Sequence, residues 1–95
     1  MKIRLMKAAI RDLHETRAHI AADDPKAAMQ VSTRLEKAII LIAEKPNIGR
    51  PITDQSLREW SVPGLPFVIP YRLSGDTIEI IRVFHPSRRR PPTWQ

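Results

Sequence analysis

Residues Leu57 to His85 read LREWSVPGLPFVIPYRLSGDTIEIIRVFH, and the fold turns on this stretch. Three β-rich runs, Leu57–Val62, Phe67–Leu73 and Thr77–His85, are divided by Pro63-Gly64 and by Ser74-Gly75-Asp76, the residue types that punctuate hairpins. The stretch therefore predicts a three-stranded antiparallel meander. Its last run is β-branched and nearly continuous in apolar residues, as suits a central strand partly covered on both faces. Alternation sets Ile78, Ile80, Arg82 and Phe84 on one side and Glu79, Ile81, Val83 and His85 on the other. Arg82 then stands between Ile80 and Phe84, where a charge is costly to bury unless a carboxylate, a phosphate or water meets it. Pro70 removes a ladder donor inside the middle run, which predicts a bulge there or a segment exposed at an edge.

Upstream of the meander the period changes. Lys2–Met6 alternates and reads as a short first strand with Ile3 and Leu5 on one face. Ala8–Ala22 carries apolar residues at Ile10, Leu13, Ile20 and Ala21, with Arg11, Asp12, Glu15, Thr16 and Arg17 around the remainder, a helix with one buried stripe. Asp24 caps a second helix and Pro25 opens it. The stripe Ala28, Val31, Leu35, Ala38 and Ile42, widened by Ile39, runs to about Lys45, where Pro46 stops it. So short a connection makes the helices an antiparallel hairpin. Pro46 to Gln55 reads as a loop stiffened by two prolines. The expected class is α+β: a short N-terminal strand, a helix hairpin and a three-stranded meander, with the hairpin on one face of the sheet and the other face open.

The 95 residues suffice for one domain, expected over 1–85, followed by a basic tail, 86–95, rich in proline and arginine. The absence of cysteine excludes disulfides, thiolate metal sites and a cysteine nucleophile. No run reaches the roughly 20 apolar residues of a membrane span, and the N-terminus is too charged for a signal peptide, so a cytoplasmic protein with no membrane partner is expected. Sixteen Lys and Arg against ten Asp and Glu give a net charge of +6, which favours an acidic partner: nucleic acid, an acidic protein segment or both.

Six pieces in order carry a family resemblance: Ala9-Ile10-Arg11-Asp12-Leu13, Asp24-Pro25-Lys26-Ala27-Ala28, the P-x-x-G-R-P of Pro46–Pro51, Leu57-Arg58-Glu59, Tyr71-Arg72, and the I-x-I-I-R-V-x-H of Ile78–His85. Together they resemble the toxins of the ParE/RelE superfamily, made beside an antitoxin in type II toxin–antitoxin pairs. Such toxins divide into ribosome-dependent mRNA interferases, which are RelE-like, and gyrase poisons without nuclease activity, which are ParE-like. P-x-x-G-R-P, L-R-E and the terminal H-x-x-R-x-R-P-P are similar to ParE. The chain departs from the pattern at Lys7, where a small polar cap is usual, and at Pro70.

The resemblance implies a protein that inhibits DNA gyrase, in contact with gyrase or its bound DNA, and that a cognate antitoxin neutralises. It implies no catalysis, cofactor, metal or small-molecule substrate. Target-binding candidates are Arg58, Arg82, His85, Arg88, Arg89, Arg90 and Trp94. The alternative, an mRNA endoribonuclease, needs a proton acceptor, a proton donor and cations for the phosphorane. Arg58, Tyr71, Arg82 and His85 are the candidates for it, with Arg72 nearby, but no lysine occurs between Pro46 and Gln95.

Each candidate also has a plainer reading. His85 can end its strand bonding to backbone, and Arg58 and Arg82 can pair with Glu59 or Glu79 across neighbouring strands. Arg88-Arg89-Arg90 can be a solvated run. Trp60 suits packing better than base stacking, and Trp94 needs either a fold-back or a partner. His14 and His19 are expected to be solvated, with no spacing that suggests a metal. A groove beside the hairpin or an unpaired sheet edge is where an antitoxin segment would dock.

Overall fold

In a computed structural model, which describes residues 1–52 and 56–86, two helices lie on one face of a five-stranded mixed sheet. The elements are β1 (Lys2–Leu5), α1 (Lys7–Ala21), α2 (Pro25–Glu44), β2 (Arg50–Pro51), β3 (Leu57–Ser61), β4 (Val68–Ser74) and β5 (Thr77–Ile80). Strand order is β1-β5-β4-β3-β2. β1 runs parallel to β5, and the remaining pairs are antiparallel.

The expected class stands, with two additions. Arg50–Pro51, expected as loop, forms a short edge strand opposite Glu59 and Arg58. The last strand, expected through His85, ends at Ile80. Its ladder resumes only where Val68 meets Phe84. Tyr71 faces Ile80 and Val68 faces Phe84, so residues 69–70 oppose residues 81–83 and one residue is extra. This is the bulge that Pro70 predicted. Ile81 N–H donates to the Pro70 carbonyl at 2.9 Å, and on that same side proline has no N–H to return. The simple alternation therefore stops at Ile80, and Val83 joins Ile78 and Ile80 in the core.

Asp24 accepts from Ala27 N–H at 3.1 Å with Pro25 in the first helical turn, as expected. Ala28, Leu35, Ala38, Ile39 and Ile42 of α2 are all buried. In α1 the inward line is shifted from the expected one. Ala9 and Asp12 are buried, whereas Ile10 is 41% exposed. Met6 is the N-cap and provides no side-chain cap. The core joins Leu35 and Ile42 to Ile69, Tyr71, Ile78 and Ile80, each nearly inaccessible and each large aliphatic contributing about 1.5–3 kcal/mol of burial.

Both hairpin turns follow their residues. Leu65 N–H donates to the Val62 carbonyl at 3.2 Å, with Pro63 first and Gly64 second at φ 77°, the signature of a type II turn. A two-residue Gly75-Asp76 turn joins β4 to β5, with Ser74 opposite Thr77.

Candidate functional site

The candidate residues fall into three places that do not converge. The first is the junction of α1 with the segment after β5. Arg82 Nε donates to Asp12 Oδ2 at 2.6 Å and its Nη2 donates to Oδ1 at 2.9 Å, a bidentate pair across 70 residues of sequence. Val83 N–H donates to the same Oδ2 at 2.9 Å. That N–H is thereby held by a helix rather than by a strand, which fixes the geometry of the bulge. The bond to Asp12 raises the Arg82 pKa; burial works against it, and the negative charges of Asp12 and Glu15 reinforce it. Arg82 is thus a permanent cation with its carboxylate in place. The expectation that Glu59 or Glu79 would meet it is corrected: a residue on the first helix does.

Beside this pair lies a cavity of about 460 Å³ lined by Asp12, Glu15, Thr16, His19 and residues 82–85. His85 is half-buried at its rim, its ring edge-on to Phe67 with centroids 5.6 Å apart. His14 and His19 are exposed, as expected. Among the described residues no group of three or more His, Cys, Asp or Glu could hold a metal ion.

The second place is the loop after α2. Tyr71 is 1% exposed, and its hydroxyl donates to the Pro46 carbonyl at 2.7 Å while accepting from Gly49 N–H at 2.9 Å. Burial raises its pKa, partly offset by the Gly49 N–H and the Arg58 charge. Arg58 Nη1 donates to the Gly49 carbonyl at 2.7 Å, with the Asn47 carbonyl at 3.4 Å. A Cβ on Gly49 would lie 2.8 Å from the Glu59 carbonyl oxygen and 2.8 Å from the Tyr71 ring and hydroxyl. The G-R-P segment is therefore built around this close approach. Arg58 and Tyr71 border a separate cavity of about 260 Å³ with Pro46, Asn47, Ser56 and Leu73.

The third place is the sheet face turned away from the helices. Arg50 donates to Glu59 at 2.7 Å and Arg72 donates to Glu79 at 2.6 Å, two cross-strand pairs whose carboxylates lie low on the face. Register adds Arg4 opposite Glu79. None of Arg58, Tyr71, Arg82 and His85 belongs to this face. Arg88, Arg89, Arg90 and Trp94 lie outside the described residues. Trp60 packs on the core as expected, with its Nε1 buried and without a partner among the described residues.

Sequence reasoning placed Asp12 on the polar side of α1. The signal that could have found it is its spacing, three residues from Ala9 and four from Thr16, on the side that faces the sheet. No helix among the described residues is long and apolar enough to cross a membrane.

Comparison with known proteins agrees with this architecture. The Y4kP protein of Sinorhizobium fredii is 41% identical over 90 residues, covering 95% of this chain and 93% of its own length. Toxin RelE1 of Caulobacter vibrioides is 32% identical over 84 residues, covering 86% of this chain and 89% of its own. Among solved structures, a chain of the chromosomal ParDE toxin–antitoxin system of P. aeruginosa superposes with a TM-score of 0.81 at 23% identity, over 90% of this chain and 95% of that one. A chain of the RelBE2 toxin–antitoxin complex of Mycobacterium tuberculosis does so at 0.59 and 22%, over 88% of each chain. The model of the ParE toxin of type II toxin–antitoxin systems matches residues 3–90, and the chain belongs to that toxin family, within the ParE/RelE superfamily.

Proposed function

We propose that this toxin acts as a protein inhibitor of DNA gyrase, without catalysis of its own, and that a cognate antitoxin neutralises it. The observation that carries the reading is the dispersal of the groups a ribonuclease would gather. Proton transfer and phosphate stabilisation need side chains within about 3 Å of one reacting centre. Tyr71 and Arg58 are committed to the loop after α2, Arg82 to Asp12, and His85 lies beside Phe67. On the open face Arg50 and Arg72 are already paired with Glu59 and Glu79, so these two cations are committed to carboxylates rather than free to meet a phosphate backbone.

A protein target suits the same surface. Cross-strand ion pairs set beside the half-buried Leu57 and Val68 form the mixed polar and apolar mosaic common at protein interfaces. The +6 charge steers the toxin towards an acidic surface such as gyrase with its DNA. Arg88, Arg89 and Arg90 are the candidate contacts there. Arg58, Arg82 and His85 contribute by holding the elements they join.

The relatives whose structures were solved as toxin–antitoxin systems support an antitoxin partner. A groove of about 740 Å³ on α2, walled by Ala27, Met29, Val31 and Leu65, offers it an apolar seat, with Met29 63% exposed.

The test is a supercoiling assay with purified gyrase and relaxed plasmid. Loss of supercoiling, or trapped cleaved DNA, reversed by the antitoxin is the expected result. Unimpaired gyrase alongside mRNA cleavage on translating ribosomes would overturn the reading.

A further inference from the structure

Two cavities along α2 share Arg34 as a wall. One is the groove of about 740 Å³ that reaches from Lys26 to Leu65. The other, of about 250 Å³, is bounded by Lys37, Leu41, Trp60 and Pro63. Arg34 Nη2 donates to the Pro63 carbonyl at 2.6 Å, so the guanidinium bridges from the helix to the β3–β4 turn. Gly64 leaves room for the bridge, since a Cβ there would lie 2.6 Å from the same Nη2. The bond is exposed and is the one hydrogen bond of that side chain among the described residues. Lys26, Arg34 and Lys37 put three cations along the two cavities, and no carboxylate among the described residues lines either. Trp60 adds a second irregularity. Its Nε1 is closed off from solvent and has no acceptor among the described residues, and a buried donor left unmade is costly.

We propose that Arg34 is a latch across what becomes a single groove, and that an acidic, amphipathic segment of the antitoxin opens it, drawing the guanidinium onto a carboxylate and supplying Trp60 Nε1 with an acceptor. The proposal rests on the reading that an antitoxin neutralises this toxin. A carboxylate outcompetes the Pro63 carbonyl for Arg34, because a charge-assisted bond to a guanidinium is roughly twice as strong as one to a neutral oxygen. From Lys26 to Leu41 the helix covers about 22 Å, and cations spread over that length match carboxylates carried on a segment rather than one small anion. Val31, Leu41 and Leu65 give the apolar side of such a segment its contacts. The closed bridge keeps the two cavities apart in the free toxin. The open one joins them and relieves the buried indole N–H, so binding gains a contact that the free chain withholds.

The chain has two tryptophans, so Trp94→Phe in the full-length toxin leaves Trp60 as the only indole. With that nitrogen isotope-labelled, NMR follows one N–H as the purified cognate antitoxin is added. The Trp60 Nε1–H signal is expected to move downfield as it acquires an acceptor. Arg34→Gln keeps a donor for Pro63 but removes the charge, and should weaken antitoxin binding roughly tenfold or more, with Arg34→Lys recovering part of the loss. Arg17→Gln, on the exposed side of α1, should bind as the parent does. Circular dichroism melts establish that each variant is folded. A complex that forms with the Trp60 signal unmoved, or with Arg34→Gln binding as tightly as the parent, would overturn the latch and leave the antitoxin reading standing. A folded toxin that forms no complex with the antitoxin would remove that reading and the latch together.

Discussion

Replacing Asp12 with Ala removes both acceptors of the Arg82 guanidinium and the acceptor of Val83 N–H in one step. Asp12 is 8% exposed and the Arg82 side chain 27%, so the stranded cation is mostly withdrawn from water. Breaking a fully buried pair costs about 3–5 kcal/mol, and the partial exposure of Arg82 argues for about 2–3 here. The orphaned Val83 N–H adds about 1 kcal/mol, for a total near 3–4. In a domain of this size that lowers the melting temperature by roughly 12–25 °C. Asp12→Asn keeps an acceptor for Val83 and should cost about half as much. The assay is thermal and urea unfolding of the purified toxin followed by circular dichroism, with an Asp12→Ala/Arg82→Met double variant to close a cycle. The double variant should be more stable than the sum of the single losses implies, because it strands no charge. An Asp12→Ala protein melting within about 4 °C of the parent would refute the assignment of this pair as the clamp between the two ends of the chain.

Other perturbations test other parts. Gly49→Ala places a methyl against backbone and the Tyr71 ring and should destabilise by about 1–3 kcal/mol, read as a lower urea midpoint at unchanged slope. Tyr71 is the only tyrosine, so the phenolate absorbance titrates it alone, and its folded midpoint should lie above the ordinary 10.0. Since the folded state holds that proton more tightly, this contribution to stability is complete below pH 10 and is lost as pH rises from there through the folded midpoint; Tyr71→Phe should lack that component. His85→Ala removes an edge-to-face contact worth about 0.5–1.5 kcal/mol and should leave gyrase inhibition intact, whereas ribonucleolytic activity that vanished with it would favour the interferase chemistry.

Most of the fold was legible because each element announces itself locally. The α2 stripe, the Asp24-Pro25 start and the Pro63-Gly64 turn are all short-range signals, and the helix limits fall within a residue or two of those read from the chain. Pro70 foretold the bulge, since a missing N–H is a property of one residue. Arg50–Pro51 was hidden because two residues carry no period. The site was harder for a different reason. The sequence marks Arg82 as a charge in need of a partner, but nothing local ties it to Asp12, which looks like one more polar residue on a solvated helix. Arg58 and Tyr71 likewise carry no mark that their partners are carbonyl groups of one loop, because backbone acceptors leave no trace in a sequence.

The parallel pairing of β1 with β5 has a bearing on how the protein comes into being. β1 leaves the ribosome before the other described elements, and among the described residues its strand partner is β5, one of the last to be made. The Asp12 carboxylate waits for Arg82 over the same interval. Contacts of such long sequence separation slow folding and cannot form on a nascent chain until synthesis nears its end. An interrupted translation product thus lacks both the strand and the guanidinium that complete the domain.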